Sequence, residues 1–323
     1  MSYDPLRSGR TADAHAPPSY FDLSGSSARA RALYIADELA TSTAWPAISR
    51  AAHALDLDAL RRELAAGVAV DLLNTPDGRT PLQLACHVSN DTIIYRRGGT
   101  EEAFLGWTAD AAELRRVTEE LISRDRVACC ALLLEHGASP NPGGSHYPPL
   151  MDAACGCSLA TVNILLSAGS DARVLCRAGG PESAPHFWSP LFLANSRRLN
   201  SAAVSDALLK AGADANQVYA GKSMMQWAIY REYRHLYHIL LRGGAILPPT
   251  GEDPPWAPAY KWRYNSHRAD PYLQRIDAAG SWTAYEKAHR AALQATFAPK
   301  FTHLVPPELV ARIVEYSFHL GFY

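Results

Sequence analysis

Leu133-Leu134-Glu135-His136-Gly137-Ala138 decides the fold, because the same phrase returns three more times along the chain. It recurs as Leu165-Leu166-Ser167-Ala168-Gly169-Ser170, as Leu208-Leu209-Lys210-Ala211-Gly212-Ala213 and as Leu240-Leu241-Arg242-Gly243-Gly244-Ala245. A weaker copy, Glu63-Leu64-Ala65-Ala66-Gly67, keeps only the second leucine. From Gly67 through Gly137, Gly169 and Gly212 to Gly244 the spacings are 70, 32, 43 and 32 residues. A unit of about 33 residues accounts for two spacings directly, and for the other two as whole units plus insertions. The phrase has a physical cause. A helix that must stop and turn leaves its last carbonyls unpaired, and glycine reaches the left-handed conformation that lets the following amides bond them. The leucine pair ahead of it lies on the inward side of that helix.

The start of a unit has its own wording. In Gly78-Arg79-Thr80-Pro81-Leu82-Gln83-Leu84-Ala85, Gly78 permits a tight turn and Thr80 caps a new helix. Pro81 stands in the first helical turn, where a missing amide hydrogen costs nothing. Degraded copies follow as Pro148-Pro149-Leu150-Met151-Asp152-Ala153-Ala154, Ser189-Pro190-Leu191-Phe192-Leu193-Ala194 and Ser223-Met224-Met225-Gln226-Trp227-Ala228.

Paired start and stop phrases at a fixed offset resemble ankyrin repeats, whose helix-start signature is Thr-Pro-Leu-His-x-Ala; here Gln83 stands in place of His. The resemblance covers roughly residues 46–249. It implies an all-α fold: a solenoid of about five helix-turn-helix units over 45–249, with helical caps at both ends. The first unit, 47–74, lacks a Thr-Pro-Leu start, as a terminal cap does. The second carries an insertion at about 88–124, in which 108–123 have helical periodicity through Ala112, Leu114, Val117, Leu121 and Ile122. In the fourth, 177–187 lengthen the turn around Gly179-Gly180-Pro181. In the family, another protein docks on a concave face of turn tips and first helices. Carried over residue by residue, that face here comprises Asp77, Arg79, His87, Tyr147, Trp188, Asn195, Tyr219, Lys222, Tyr230 and Arg231. Tyr, Trp and Arg among them are the types that dominate binding energy at interfaces.

Composition excludes several alternatives. With 31 Lys+Arg against 32 Asp+Glu the formal net charge is −1, so neither nucleic acid nor an acidic membrane surface is favoured as a partner. The longest strongly apolar stretch, 127–134, is far short of the roughly 20 residues that span a bilayer. The N-terminus shows no apolar core of a secretory signal, which points to the cytosol or nucleus. Six cysteines in such a chain read as buried reduced thiols. Cys155-Gly156-Cys157 lacks the second pair that a zinc site needs, so no metal is expected.

Motifs of catalysis fail on inspection. Gly221-Lys222-Ser223 resembles the end of a phosphate-binding loop, but position 216, where that loop requires glycine, is Asn. The twelve histidines include His136 in a routine place and His235 and His238 on an aromatic-rich helix. No Gly-x-Ser-x-Gly elbow and no His-Glu-x-x-His occurs. The expectation is a non-catalytic, monomeric, protein-binding chain without cofactor.

The two ends differ from the middle. Residues 1–27 are rich in Pro, Ser, Gly and Asp and read as flexible, while 28–44 suit a capping helix through Leu33, Ile35 and Leu39. Residues 250–280 form a Pro- and aromatic-rich linker carrying Trp256, Tyr260, Trp262, Tyr264 and Tyr272. At 281–323 a Ser281 cap precedes Trp282, Tyr285, Ala288, His289, Ala292, Leu293 and Phe297 at helical spacing, and Pro307-Glu308 opens a second helix using Leu309, Val310, Ile313 and Val314. This helix pair behind the repeats is similar to a SOCS box, with Leu304-Val305-Pro306-Pro307 in place of its Leu-Pro-x-Pro element. The stretch 305–313 also resembles the opening of an F-box. Either resemblance implies ubiquitin-ligase subunits as further partners and an adaptor role; a plain C-terminal cap is the alternative.

Overall fold

The computed structural model describes residues 42–73, 78–88, 90, 93, 109–143, 147–156, 158–178, 186–196, 201–219, 221–249, 268–301, 305–306 and 308–313. They fall into two compact units, Met1–Ala213 and Asp214–Tyr323. The chain is mostly helical, and its described residues include two short two-stranded antiparallel sheets that the sequence pattern did not announce. Segments 1–27, 28–41 and 250–267, read above as a flexible start, a capping helix and a linker, lie outside the described residues.

The first unit consists of helix pairs: α1 (Ala47–Ala54) with α2 (Leu57–Ala65), α3 (Pro81–His87) with α4 (Ala109–Glu135), α5 (Pro149–Cys155) with α6 (Leu159–Ser167), and α7 (Pro190–Ser196) with α8 (Ser201–Lys210). Within it each first helix packs on the next first helix, and each second helix on the next second helix, so two layers run side by side. The short first helices are buried almost throughout: every residue of α3 and of α5 is buried. A seven-residue helix walled in on all sides contributes its whole circumference to the core.

All five stop glycines have left-handed backbones, with φ of +79° at Gly67, +87° at Gly137, +88° at Gly169 and +92° at Gly212 and Gly244. At each of the four full copies the glycine amide donates to the carbonyl of the second leucine, and the next amide to that of the first. The distances are 3.0 and 3.0 Å at Gly137-Ala138, Gly169-Ser170 and Gly212-Ala213, and 3.1 and 2.9 Å at Gly244-Ala245. This is the Schellman arrangement, in which two orphan carbonyls are satisfied at once. The small residue after glycine is buried every time, as Ala138, Ser170, Ala213 and Ala245, which explains its size. The first leucine of each pair, Leu133, Leu165, Leu208 and Leu240, is fully buried. The second is turned about 100° around the helix, and only Leu241 of that set is buried.

A further regularity stands four residues after Gly67, Gly137, Gly169 and Gly212. Asn141 donates its side-chain amide to the Gly169 carbonyl (2.9 Å) and accepts from the Asp171 amide (2.8 Å). In the second unit Asn216 does the same to Gly244 (2.9 Å) and Ile246 (2.8 Å). Arg173 reaches the Gly212 carbonyl with Nε at 2.7 Å, and Asp71 accepts the Ser139 amide at 3.0 Å. Each turn is thereby tied to the stop turn of the next unit.

Helix starts are as regular. Thr80 and Gln83 form a capping box, Oγ1 accepting the Gln83 amide and Gln83 Oε1 the Thr80 amide, and Ser223 and Gln226 repeat it. Gln83 also donates to the Tyr147 carbonyl at 3.1 Å. The helix expected at 108–123 does not stop there: α4 runs unbroken for 27 residues and takes in the stop phrase at Leu133-Leu134. No Gly or Pro interrupts 109–135, so insertion and second helix fuse. From α4, buried Arg126 donates to the carbonyls of Ala85 (2.7 Å) and Cys86 (3.2 Å) and to Asn90 Oδ1 (2.9 Å). It caps the C-terminal end of α3, where a cation also complements the helix dipole. The lengthened turn at 177–187 is bracketed by β1 (Cys176–Ala178) and β2 (His186–Trp188), antiparallel with Cys176 opposite Trp188.

In the second unit β3 (Val218–Tyr219) and β4 (Lys222–Ser223) form a tight hairpin leading into α9 (Met224–Arg231) and α10 (Arg234–Arg242). Part of the stretch read as a linker is helical: α11 (Pro271–Ala278), opened by Asp270 accepting the Tyr272 amide at 2.8 Å. Buried Arg268 donates to the Pro248 carbonyl at 2.8 Å, and Arg234 pairs with Asp270 at 2.6 Å, so α11 is fastened to the end of the α9–α10 pair. Ser281 caps α12 (Trp282–Phe301), its hydroxyl accepting the Ala284 amide at 3.1 Å, and 308–313 are helical. No described helix is long and apolar enough to cross a membrane.

Gly137→Ala is expected to lose about 1–2 kcal/mol of stability, because a Cβ meets no atom there and the left-handed backbone alone carries the cost. Gly156→Ala, at a right-handed backbone with only ordinary contacts, is expected to lose nothing. Urea unfolding of the two variants checks this; equal midpoints contradict it.

Candidate functional site

Two clusters emerge at the starts of first helices, an aromatic pair in the first unit and an aromatic and cationic group in the second. In the first, Tyr147 leads into α5 and Trp188 ends β2, immediately ahead of α7. Their rings lie 5.6 Å apart at 38°, both half-buried. The Gln83 bond to its carbonyl fixes the backbone of Tyr147, and the hairpin register fixes that of Trp188. The indole N–H of Trp188 is buried with no hydrogen-bond partner among the described residues. Arg79 is half-buried in the turn before α3. Asp77 lies outside the described residues.

His87 and Asn195 belong to a different setting. His87 Nδ1 stands 3.2 Å from Asp152 Oδ1, both buried, linking α3 to α5. Asn195 is buried and accepts the Ser205 hydroxyl at 2.6 Å, linking α7 to α8. Both side chains face protein neighbours and serve helix packing. Seven first-helix residues give no phase by themselves, which is why sequence alone placed them on the concave face.

The second cluster is denser. Around the indole of Trp227 stand Lys222, with Nζ 4.7 Å from the ring centroid, and Arg231, with its guanidinium carbon at 5.7 Å. The rings of Tyr219 and Tyr230 each lie 6.1 Å away. Cations over an indole are attracted by its negative face. The Trp227 N–H donates to the Tyr219 carbonyl at 3.1 Å, and Tyr219 itself is buried. Tyr219 therefore holds the indole in place more than it meets solvent. Burial, and then the like charge of Arg231, hold the Lys222 ammonium below the ordinary lysine range. Trp227 was missing from the sequence-predicted set because it falls inside a helix-start phrase; its spacing of three and four residues to Tyr230 and Arg231 was the available signal.

The buried thiols are a third grouping. Cys86 and Cys130 sulfurs are 3.7 Å apart between α3 and α4. Their mutual hydrogen bond, then burial, push the Cys86 thiol well up, and burial takes Cys129 to about 12. These groups stay protonated at neutral pH and lack the thiolate that nucleophilic chemistry requires. Among the described residues no group of three or more His, Cys, Asp or Glu side chains could hold a metal ion. No protein-family model and no curated protein matches the chain.

Arg231→Gln is expected to bring the Lys222 pKa up, since removing a neighbouring positive charge favours the ammonium form. Titration of the Lys222 side-chain carbon signal by NMR checks this, and an unmoved pKa contradicts the coupling.

Proposed function

We propose that the chain is a non-catalytic protein-binding module built of ankyrin repeats, with the turn tips and the part-exposed side chains next to them as the partner-binding surface. One observation carries the reading. Helical hairpins closed by the same glycine turn recur in both units, and each unit holds clustered aromatic side chains at the start of first helices: Tyr147 with Trp188, ahead of α5 and α7, and Tyr219 with Trp227 and Tyr230, ahead of and on α9. Hairpins that pack only on their neighbours offer a surface whose residues vary without disturbing the core. Rigid, half-buried aromatic rings are what such a surface uses to bind.

A second reading, an adaptor of a cullin-type ubiquitin ligase, is favoured by one observation. On α12 and 308–313 the apolar Phe297, Phe301, Leu309 and Ile313 are exposed, and Phe297 and Phe301 are 6.0 Å apart. Partners on that segment would be ligase subunits, with the repeats holding the target; the setting is cytoplasmic or nuclear.

Tyr147→Ala with Trp188→Ala is expected to reduce capture of the natural partner in affinity purification at least about tenfold, with helix content unchanged by circular dichroism. Undiminished capture removes the surface from consideration. Deleting 281–323 separates the two readings: loss of co-purifying elongin, F-box-binding adaptor or cullin supports the adaptor, and their absence from the intact bait rejects it.

A further inference from the structure

The Trp227 cluster brings two cations from different elements to one ring. Lys222 comes from β4 and Arg231 from the last turn of α9, and the Ser223–Gln226 capping box fixes where the helix begins relative to the strand. The indole between them is oriented by its bond to the Tyr219 carbonyl. Lys222, Trp227, Tyr230 and Arg231 all keep partial exposure. Two like charges held beside one aromatic ring repel each other; burial first, and then the charge of Arg231, hold the Lys222 ammonium below the ordinary lysine range. A carboxylate brought to either cation offsets this repulsion and gains a charge-assisted hydrogen bond.

We propose that Lys222, Trp227, Tyr230 and Arg231 form a docking point for a short acidic peptide segment, whose Asp or Glu carboxylates meet the two cations while its aliphatic parts lie on the rings. The inference rests on the reading of the chain as a protein-binding module and names the chemistry of its partner. The charge count fits a segment with one or two carboxylates better than a polyanion. Within 214–233 the only cations are Lys222 and Arg231, and Asp214 and Glu232 oppose them, whereas nucleic acid calls for a longer basic stripe.

Selection of the full-length chain against a random-peptide display library tests this, followed by fluorescence anisotropy on the recovered peptides. Recovered sequences should be enriched in Asp and Glu, and Lys222→Gln or Arg231→Gln should each weaken their binding about tenfold. The pair Lys222→Glu with Arg231→Glu, checked for unchanged circular dichroism, should select Lys- and Arg-rich peptides instead. Peptides without acidic enrichment, or acidic ones indifferent to residues 222 and 231, overturn the inference. If the recovered peptides depend on Tyr147 and Trp188 alone, the acidic docking point falls while the binding-module reading stands. Recovery of no peptide overturns the inference, and binding of single-stranded RNA or anionic vesicles in its place overturns the module reading as well.

Discussion

Everything regular in this chain descends from a left-handed glycine that sends two successive amides back onto the carbonyls of a leucine pair. That turn satisfies the end of a second helix without side chains from elsewhere. It points the next residue inward, so that residue must be small, and it leaves the following turn at a constant distance from the stop. The side chain four residues on then meets the stop turn of the next unit. Local geometry at one residue thus bears on the spacing between neighbouring hairpins, through ties that join residues 28 to 39 positions apart.

What was legible follows from this. The period and the helix ends could be read because glycine and proline act through the backbone, whose demands are the same in every unit. The ties at the fourth position were not read, because Asp71, Asn141, Arg173 and Asn216 do related work with different chemistry and leave no common letter. Gln83 and Gln226 each close a capping box, a role their position three residues after Thr80 and Ser223 permits. The fusion of the inserted helix into α4 depends on an absence, that of any breaker across 109–135, rather than on a motif. Part of the supposed linker is the helix Pro271–Ala278, whose Asp270-Pro271 start was a cap signal outweighed by the surrounding Pro and aromatic residues.

The candidate site was half legible for a related reason. Residues at or beside the turns, Tyr147, Trp188 and Lys222 among them, kept partial exposure, as did Arg231 at the end of the eight-residue α9. Residues borne by seven-residue helices did not, since a helix of two turns enclosed by neighbours has no solvent face, and His87 and Asn195 became packing links. Trp227 was overlooked although it organises the cationic cluster, because a tryptophan in a helix-start phrase reads as core. Electrostatics add what periodicity cannot: a chain of net charge −1 still concentrates two cations on one indole. Local charge, rather than the total, determines which partner a surface favours.

The central claim, that recurring glycine turns close the hairpins and fix their spacing, is tested most directly by native-state hydrogen exchange at the amides of Ala138, Ser170, Ala213 and Ala245. Each donates to a leucine carbonyl five residues back. Comparable protection at all four, well above that of exposed turn amides, is the predicted result. Exchange at unfolded-chain rates at these positions in an otherwise folded protein contradicts it.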